Sequence, residues 1–477
     1  MPVTSSLPAH DLLETARQTL ASRFDPAFGG FGSAPKSTQP HALERLLRHY
    51  ARSERAGKPD RDALHMVCHT LRRMALGGIY DQIGGGFARY STDAQWMIPH
   101  CEKSLIDNAL LIRVATDAHR ATGDKFFRRI ARETSEWVIN DMQLDHGGFA
   151  FALAAGNAQH EGAFYLWTPD ALREVLTPAE AQLAILRLGL DEKPNFHDQW
   201  YPQVHMAFSE LAKRLQTPRD TVVAQWQSAK AKLLSARNTR EHPERDDHMD
   251  IAANALMIEA LAHAGRFLTL PDLINAAERA ETAIERYAWQ EPAVNDQAFM
   301  LAALIELQQT RWSSKREQWI LQLAHVLSAP DAIDACLPLT DHLQPSPHGV
   351  AALALNRLGH WHHEPDFLAA AERILDTTAS EVGKDPVTHC TLLNALEEVL
   401  DTPELVIIRD TPDALDAWRK VTDAGYRPHR VVVALDTDTA NPHVPDQETG
   451  AWVIHDGHAQ PKATTPTELT DRLNSHR

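Results

Sequence analysis

From Ala9 to about Leu400, apolar residues recur at intervals of three and four and break off at short Gly, Pro and Asp punctuation, while strand-like alternation is scarce. The periodicity predicts helices near 9–23, 40–54, 60–76, 100–121, 124–142, 169–188, 217–236, 249–266, 271–288, 296–310, 314–328, 348–358, 364–379 and 386–400. Start signals support several of them: Thr168-Pro169 supplies a cap and then Pro at the first helical position, and Asp296 stands before the apolar run Ala298-Phe299-Met300-Leu301. Gly-Gly-Phe occurs at 29–31, 85–87 and 147–149, each time between helical segments, and the separations of 56 and 62 residues suit one helical hairpin with its loops. A hairpin cannot bury its apolar face alone. Stacking hairpins around an axis buries those faces together, which predicts an (α/α)6 toroid over residues 1–402 with its glycine-rich loops at one mouth.

After residue 402 the pattern changes. Leu405-Val406-Ile407-Ile408, Arg430-Val431-Val432-Val433-Ala434-Leu435 and Ala451-Trp452-Val453-Ile454 read as strands, with a helix from Ala414 to Thr422 between the first two. Thr465-Pro466-Thr467-Glu468 is a capping box opening a last helix. Residues 403–477 are thus predicted to form a small α/β segment.

Composition narrows the function classes more than the fold. With 43% hydrophobic and 23% charged residues among 477, the chain is an ordinary globular protein. Lys plus Arg number 47 against 64 for Asp plus Glu, a net charge of -17, which argues against nucleic acid or an anionic membrane surface as a partner. Apolar runs such as Ala109-Leu110-Leu111-Ile112 fall far short of a membrane span, and His10, Asp11, Glu14 and Arg17 interrupt any signal-like segment, so a cytoplasmic location is expected. Cys68, Cys101, Cys336 and Cys390 form no CxxC pair, so they read as buried thiols rather than a dithiol redox site. No cofactor motif is read.

The densest stretch of chemistry runs from Gly77 to Lys103. Gly84-Gly85-Gly86 permits backbone shapes closed to other residues, and no Gly-Lys-Ser/Thr follows, so it is not a P-loop. Pro99 reads as the first residue of a helix, which would put His100, Lys103 and Asp107 on one face, close to sugar hydroxyls or an anion. Tyr80, Phe87, Tyr90 and Trp96 suit the flat apolar faces of sugar rings; such aromatics also suit a core. His360-Trp361-His362-His363-Glu364 lies between two predicted helices and is expected to be a solvated loop rather than a metal site.

The order GGFG-APK at Gly29 to Lys36, GGIYDQIGGGF-RYSTD at Gly77 to Asp93, W--PH-EK---DNALL at Trp96 to Leu111, and EG-FY-WT at Glu161 to Thr168 resembles the spermatogenesis-associated protein 20 family of thioredoxin-domain-containing proteins. The resemblance runs on through Asp246-Asp247, Asn254 to Ile258 and Asp296 to Phe299. It implies a body similar to six-hairpin glycosidases and N-acylglucosamine 2-epimerases, without the thioredoxin-like domain that usually opens such chains. Departures from the family pattern include Ala88 for His, Cys101 and Ser104 beside the Glu-Lys pair, and Ala154-Ala155-Gly156-Asn157 for a run with two carboxylates. Further departures are His248, Ala253, Ile454 and Ala459.

Glycoside hydrolysis uses two carboxyls, and epimerisation needs groups that remove and return a proton. The catalytic candidates are His100, Glu102, Asp107, Glu161 and Asp247, with Asp246 and Asp296 as further carboxylates. The substrate-binding candidates are Tyr80, Phe87, Arg89, Tyr90, Trp96, Lys103 and Asn254. Asp247 and Asp296 also read as helix caps. Two readings follow: a carbohydrate-active or carbohydrate-binding toroid, or a noncatalytic module, a pseudoenzyme that partners a separate thioredoxin-like protein.

Overall fold

The computed structural model describes residues 9–157, 160–333, 337–437, 439, 448–455 and 457–474. Its helices are α1 (Ala9–Arg23), α2 (Pro40–Arg55), α3 (Arg61–Leu76), α4 (Leu105–Thr122), α5 (Lys125–Trp137), α6 (Pro169–Val175), α7 (Pro178–Leu188), α8 (Phe208–Arg214) and α9 (Arg219–Arg237). They continue with α10 (Ile251–Phe267), α11 (Pro271–Tyr287), α12 (Val294–Thr310), α13 (Ser314–Ser328), α14 (Pro347–His362), α15 (Pro365–Lys384), α16 (Cys390–Leu400), α17 (Pro412–Thr422) and α18 (Pro466–Asn474).

Two concentric rings result. Helices α2, α4, α10, α12, α14 and α16 each pack on the next, and α16 returns to α2. Their hairpin partners α1, α3, α5, α11, α13 and α15 lie outside, which makes the architecture the (α/α)6 toroid. Sequence sets which ring a helix joins: thirteen of the seventeen residues of α10 are buried, against six of seventeen in α11. A helix apolar all round goes inside, and one with a single apolar stripe covers it. Helices α6 to α9 are inserted between α5 and α10 and carry their own apolar cluster around Leu172, Leu183, Val222 and Leu233.

At the far end of the chain, the strand Glu404–Arg409 runs parallel to Arg430–Leu435 and antiparallel to Gly450–His455. Leu405, Ile407, Val431 and Val433 face the core of the toroid, while Val406, Ile408, Val432 and Val453 pack with Trp418 of α17 and Leu469 of α18. Burial on both faces explains why these strands read as unbroken apolar runs.

The Gly-Gly-Phe triplets prove to be one repeated device. In the first loop the Asp25 N–H donates to Gly30 O and the Gly29 N–H to Asp25 O; in the second the Asp81 N–H donates to Gly86 O and the Gly85 N–H to Asp81 O. The third loop makes the same pair of bonds through Leu144, Gly147 and Gly148. Gly30 and Gly86 have φ of 78° and 80°, and a Cβ on either would stand 2.6 Å from the ring of Trp96 or Trp137. Each Phe is tied to the start of an inner helix. Gln39 Nε2 donates to Phe31 O, Asn108 clasps both the N–H and the carbonyl of Phe87, and Asn254 clasps those of Phe149. The three loops therefore sit at the same mouth, where the inner helices begin.

Several predicted elements differ. The helix expected over 100–121 begins at Leu105, because Ser104 is the better cap, its hydroxyl accepting from the Asp107 N–H. Pro99–His100 and Lys103–Ser104 are instead short strands. The span 169–188 breaks in two at Thr177-Pro178, where Thr177 and Glu180 form a capping box. Asp296 lies inside α12 rather than before it, its carboxylate accepting from the Ala293 N–H. His360 to His362 form the last turn of α14 with Trp361 fully buried, not a solvated loop. Cys336 lies outside the described residues; Cys101 and Cys390 are buried and Cys68 is half-buried.

Candidate functional site at the mouth of the toroid

The segment from Arg89 to Ser104 forms one wall of the mouth. Tyr90–Ser91 pairs with Lys36–Ser37 on one side and Pro99–His100 on the other, and Lys103–Ser104 pairs with Ala152–Leu153. Asp93 holds the turn between, accepting from the amides of Gln95, Met97 and Ile98. In an extended segment side chains alternate. From Pro99 to Lys103, residues 99, 101 and 103 are buried, while His100 and Glu102 between them are partly exposed. His100 and Lys103, expected to share a helix face, thus lie on opposite sides of an extended segment, while Asp107 lies in the first turn of α4.

On the mouth side the groups form a linked row. His100 Nδ1 lies 2.9 Å from Glu161 Oε1, and its Nε2 is 3.6 Å from Glu102 Oε2. Arg89 Nη1 donates to Glu102 Oε1 at 2.9 Å, and the Arg89 N–H donates to Glu102 O. The Tyr90 ring stacks on His100 with centroids 4.9 Å apart. Arg89, Tyr90 and Asp107 line a cavity of about 520 Å³, together with Thr38, Gln39 and His41. Burial pushes the Asp107 carboxyl up to about 6, against the pull of Ser104 and Arg89. Its carboxyl therefore holds a proton to a higher pH than an exposed aspartate would, up to about 6.

Six of the candidate residues are brought together here: Arg89, Tyr90, His100, Glu102, Asp107 and Glu161. The others have different positions. Tyr80 is buried and its hydroxyl donates to Glu133. Phe87 is a core ring whose backbone Asn108 clasps. Trp96 is fully buried beneath Gly30, with its Nε1–H on Phe28 O and Lys36 5.3 Å over its ring. Lys103 is sequestered on the other side of the strand, donating to Asp81 and Gly85 O, as Lys36 does to Asp25 and Gly29 O in the first loop. Asn254 spends its amide on Phe149 and Asp250 O. Asp247 is exposed, pairs with Arg245 and borders a separate groove with Trp137 and Tyr165; Asp250, not Asp247, caps α10.

Several cavity residues lie outside the sequence reading, among them Thr38, Gln39 and His41. His41, in the first turn of α2, is 7% exposed and its Nε2 has no hydrogen-bond partner. The signal was present: Pro40-His41 opens a helix in the way Pro99-His100 was expected to.

Inward of the mouth the lumen fills with charge. Arg113 of α4 pairs with Glu44 of α2 and Glu259 of α10, and His263 of α10 lies between Asp117 of α4 and Glu306 of α12. Cavities of only about 50 and 40 Å³ remain there. Arg357, Glu398 and Arg48 continue the ring of ion pairs. The C-terminal segment closes the far end, with Asp423 on Arg266 and the Val432 N–H on Gln309. Among the described residues no helix is long and apolar enough to cross a membrane, and no group of three or more His, Cys, Asp or Glu is placed to hold a metal.

No protein-family model matches the chain. Spermatogenesis-associated protein 20 of Mus musculus is 27% identical, the match covering 89% of this chain and 62% of that protein. The Homo sapiens protein of the same name is 26% identical over 89% and 63%. The chain thus spans about three fifths of the length of these curated relatives. Among solved structures, D-mannose isomerase covers 83% of this chain with 100% of its own, at 11% identity and a TM-score of 0.50, a likeness that concerns the fold. In sequence the chain resembles spermatogenesis-associated protein 20 along most of its length, on the (α/α)6 toroid that D-mannose isomerase also has.

Proposed function

We propose that the mouth binds a sugar and that the protein is carbohydrate-active or carbohydrate-binding. The observation that carries this reading is the cavity of about 520 Å³, of a size for one or two sugar rings, with the Asp107 carboxyl, raised by burial, in its wall. Tyr90 supplies an aromatic face, and His41, Gln39 and Thr38 supply groups for hydroxyls. His100, fixed by Glu161 and Glu102 and stacked on the cavity residue Tyr90, is the candidate base, and Asp107 the candidate acid while it holds its proton, below about pH 6. This pairing suits proton transfer at a sugar carbon or at a glycosidic oxygen.

A noncatalytic binding module is the second reading. It is favoured by the contacts within the protein that already engage both His100 nitrogens and Glu102. Sugar-induced thermal stabilisation over a broad panel, followed by hydrolysis and epimerisation assays on each hit, separates the two. A saturable shift that weakens by about 1–3 kcal/mol in His100→Ala supports the site. No shift with any sugar, together with a large loss of melting temperature in the variant, refutes it.

A further inference from the structure

The cavity of about 40 Å³ at the inner end of the lumen lies where the ring meets the C-terminal segment. Its wall is dominated by arginine: Arg48, Arg113, Arg120, Arg266, Arg357 and Arg430 all line it. Most of their carboxylate partners stand behind them and do not reach the cavity. Arg48 is held by Glu397 and Glu398, Arg266 by Asp423, Arg357 by Glu398 and Arg430 by Glu404. The acids that do line it are Glu44, Asp117 and Glu306, and each is already committed: Glu44 to Arg113, Asp117 to both Arg120 and His263, Glu306 to His263.

Donors are left over. Arg113 Nε and Arg120 Nε are buried without an acceptor. The Arg120 side chain is 7% exposed, its guanidinium 3.4 Å from the centroid of the Phe267 ring, and burial holds it below its ordinary pKa despite Asp117. Tyr426 of the C-terminal segment also lines the cavity, its ring centroid 5.5 Å from the Arg120 guanidinium. Buried N–H groups without acceptors are costly, and a space lined by excess cations lowers the energy of a negative charge within it.

We propose that this cavity is a binding site for a small inorganic anion of about the size of chloride. The volume admits one such ion or a few waters. The anion would accept from Arg113 and Arg120 of α4 and face His263 of α10, with Tyr426 beside Arg120. It would therefore join the inner ring to the C-terminal segment. The site lies at the other end of the lumen from the sugar cavity and does not depend on that reading.

The test is a titration of the full chain with sodium chloride at constant ionic strength, sodium gluconate making up the balance, read as melting temperature. The expected result is a saturable rise of about 2 °C in the wild type, absent from Arg120→Gln when each protein is compared with its own gluconate baseline. Tyr426→Phe, which keeps the ring, serves if Arg120→Gln does not fold, and a weakened response there supports the site. Crystals grown in sodium bromide should show an anomalous peak between Arg113 and Arg120. Equal melting temperatures in chloride and gluconate, a response unchanged in the variants, or no peak in the cavity would overturn the proposal.

Discussion

Replacing Asn254 with alanine tests whether the asparagine clasp, rather than sugar binding, accounts for that residue. Asn254 is fully buried, accepts from the Phe149 N–H at 2.8 Å and donates to the Phe149 carbonyl at 3.0 Å. The Asp250 carbonyl, its third partner, also receives the Asn254 backbone N–H and is not orphaned. The substitution thus strands two buried backbone groups at about 1–3 kcal/mol each, or about 2–6 kcal/mol together. Even the lower value corresponds to about thirtyfold faster exchange through local opening. Hydrogen exchange by mass spectrometry on peptides covering 143–153 reads this directly. Asn108→Ala supplies the matching experiment at Phe87, where the same two bonds are lost. Each variant should loosen its own loop and leave the other protected. If neither loop loosens, or if both relax in both variants, the clasp is not a local device and the argument fails.

Other outcomes follow from the same physics. Asp107 holds its proton up to about pH 6 when folded, against an ordinary value of 3.8, so the folded state binds it more tightly than the unfolded state. Its contribution to stability is full below about pH 4 and is lost as pH rises through 6, by up to about 3 kcal/mol. Asp107→Asn should flatten that part of the melting-temperature profile and be the more stable protein at pH 7.5; parallel profiles would contradict the assignment. Lys103→Met removes one of the two cations on Asp81 and the donor to Gly85 O, so urea unfolding should show a loss of about 2–4 kcal/mol with sugar affinity at the mouth unchanged. Burial pushes the Cys101 thiol up to about 12, so iodoacetamide should leave it unlabelled in the native chain and insulin reduction should be undetectable.

The toroid was legible because its signals are local and repeated. Helical periodicity, and a triplet that recurs three times between helices, need no knowledge of distant contacts. The site was less so. The strands Pro99–His100 and Lys103–Ser104 are two residues long, too short for alternation to register, and Lys103–Ser104 finds its partner some fifty residues away at Ala152–Leu153. A proline followed by polar residues therefore read as a helix start, although Ser104, with Asp107 three positions on, carried the stronger cap. Lys103 and Asn254 read in sequence as substrate-binding groups because their partners in the fold are not local. What they bind, Asp81 and Phe149, lies 22 and 105 residues distant and only the fold brings them together.

The closed far end makes the toroid a cup rather than a pipe. With Arg113 and its partners narrowing the lumen and the C-terminal sheet seated beneath, whatever enters at the mouth must leave by the same door. A long polymer could present an end or a side branch to the rim but could not be threaded through. Arrival and departure would then compete for one opening, so a slowly released ligand would block the entry of the next.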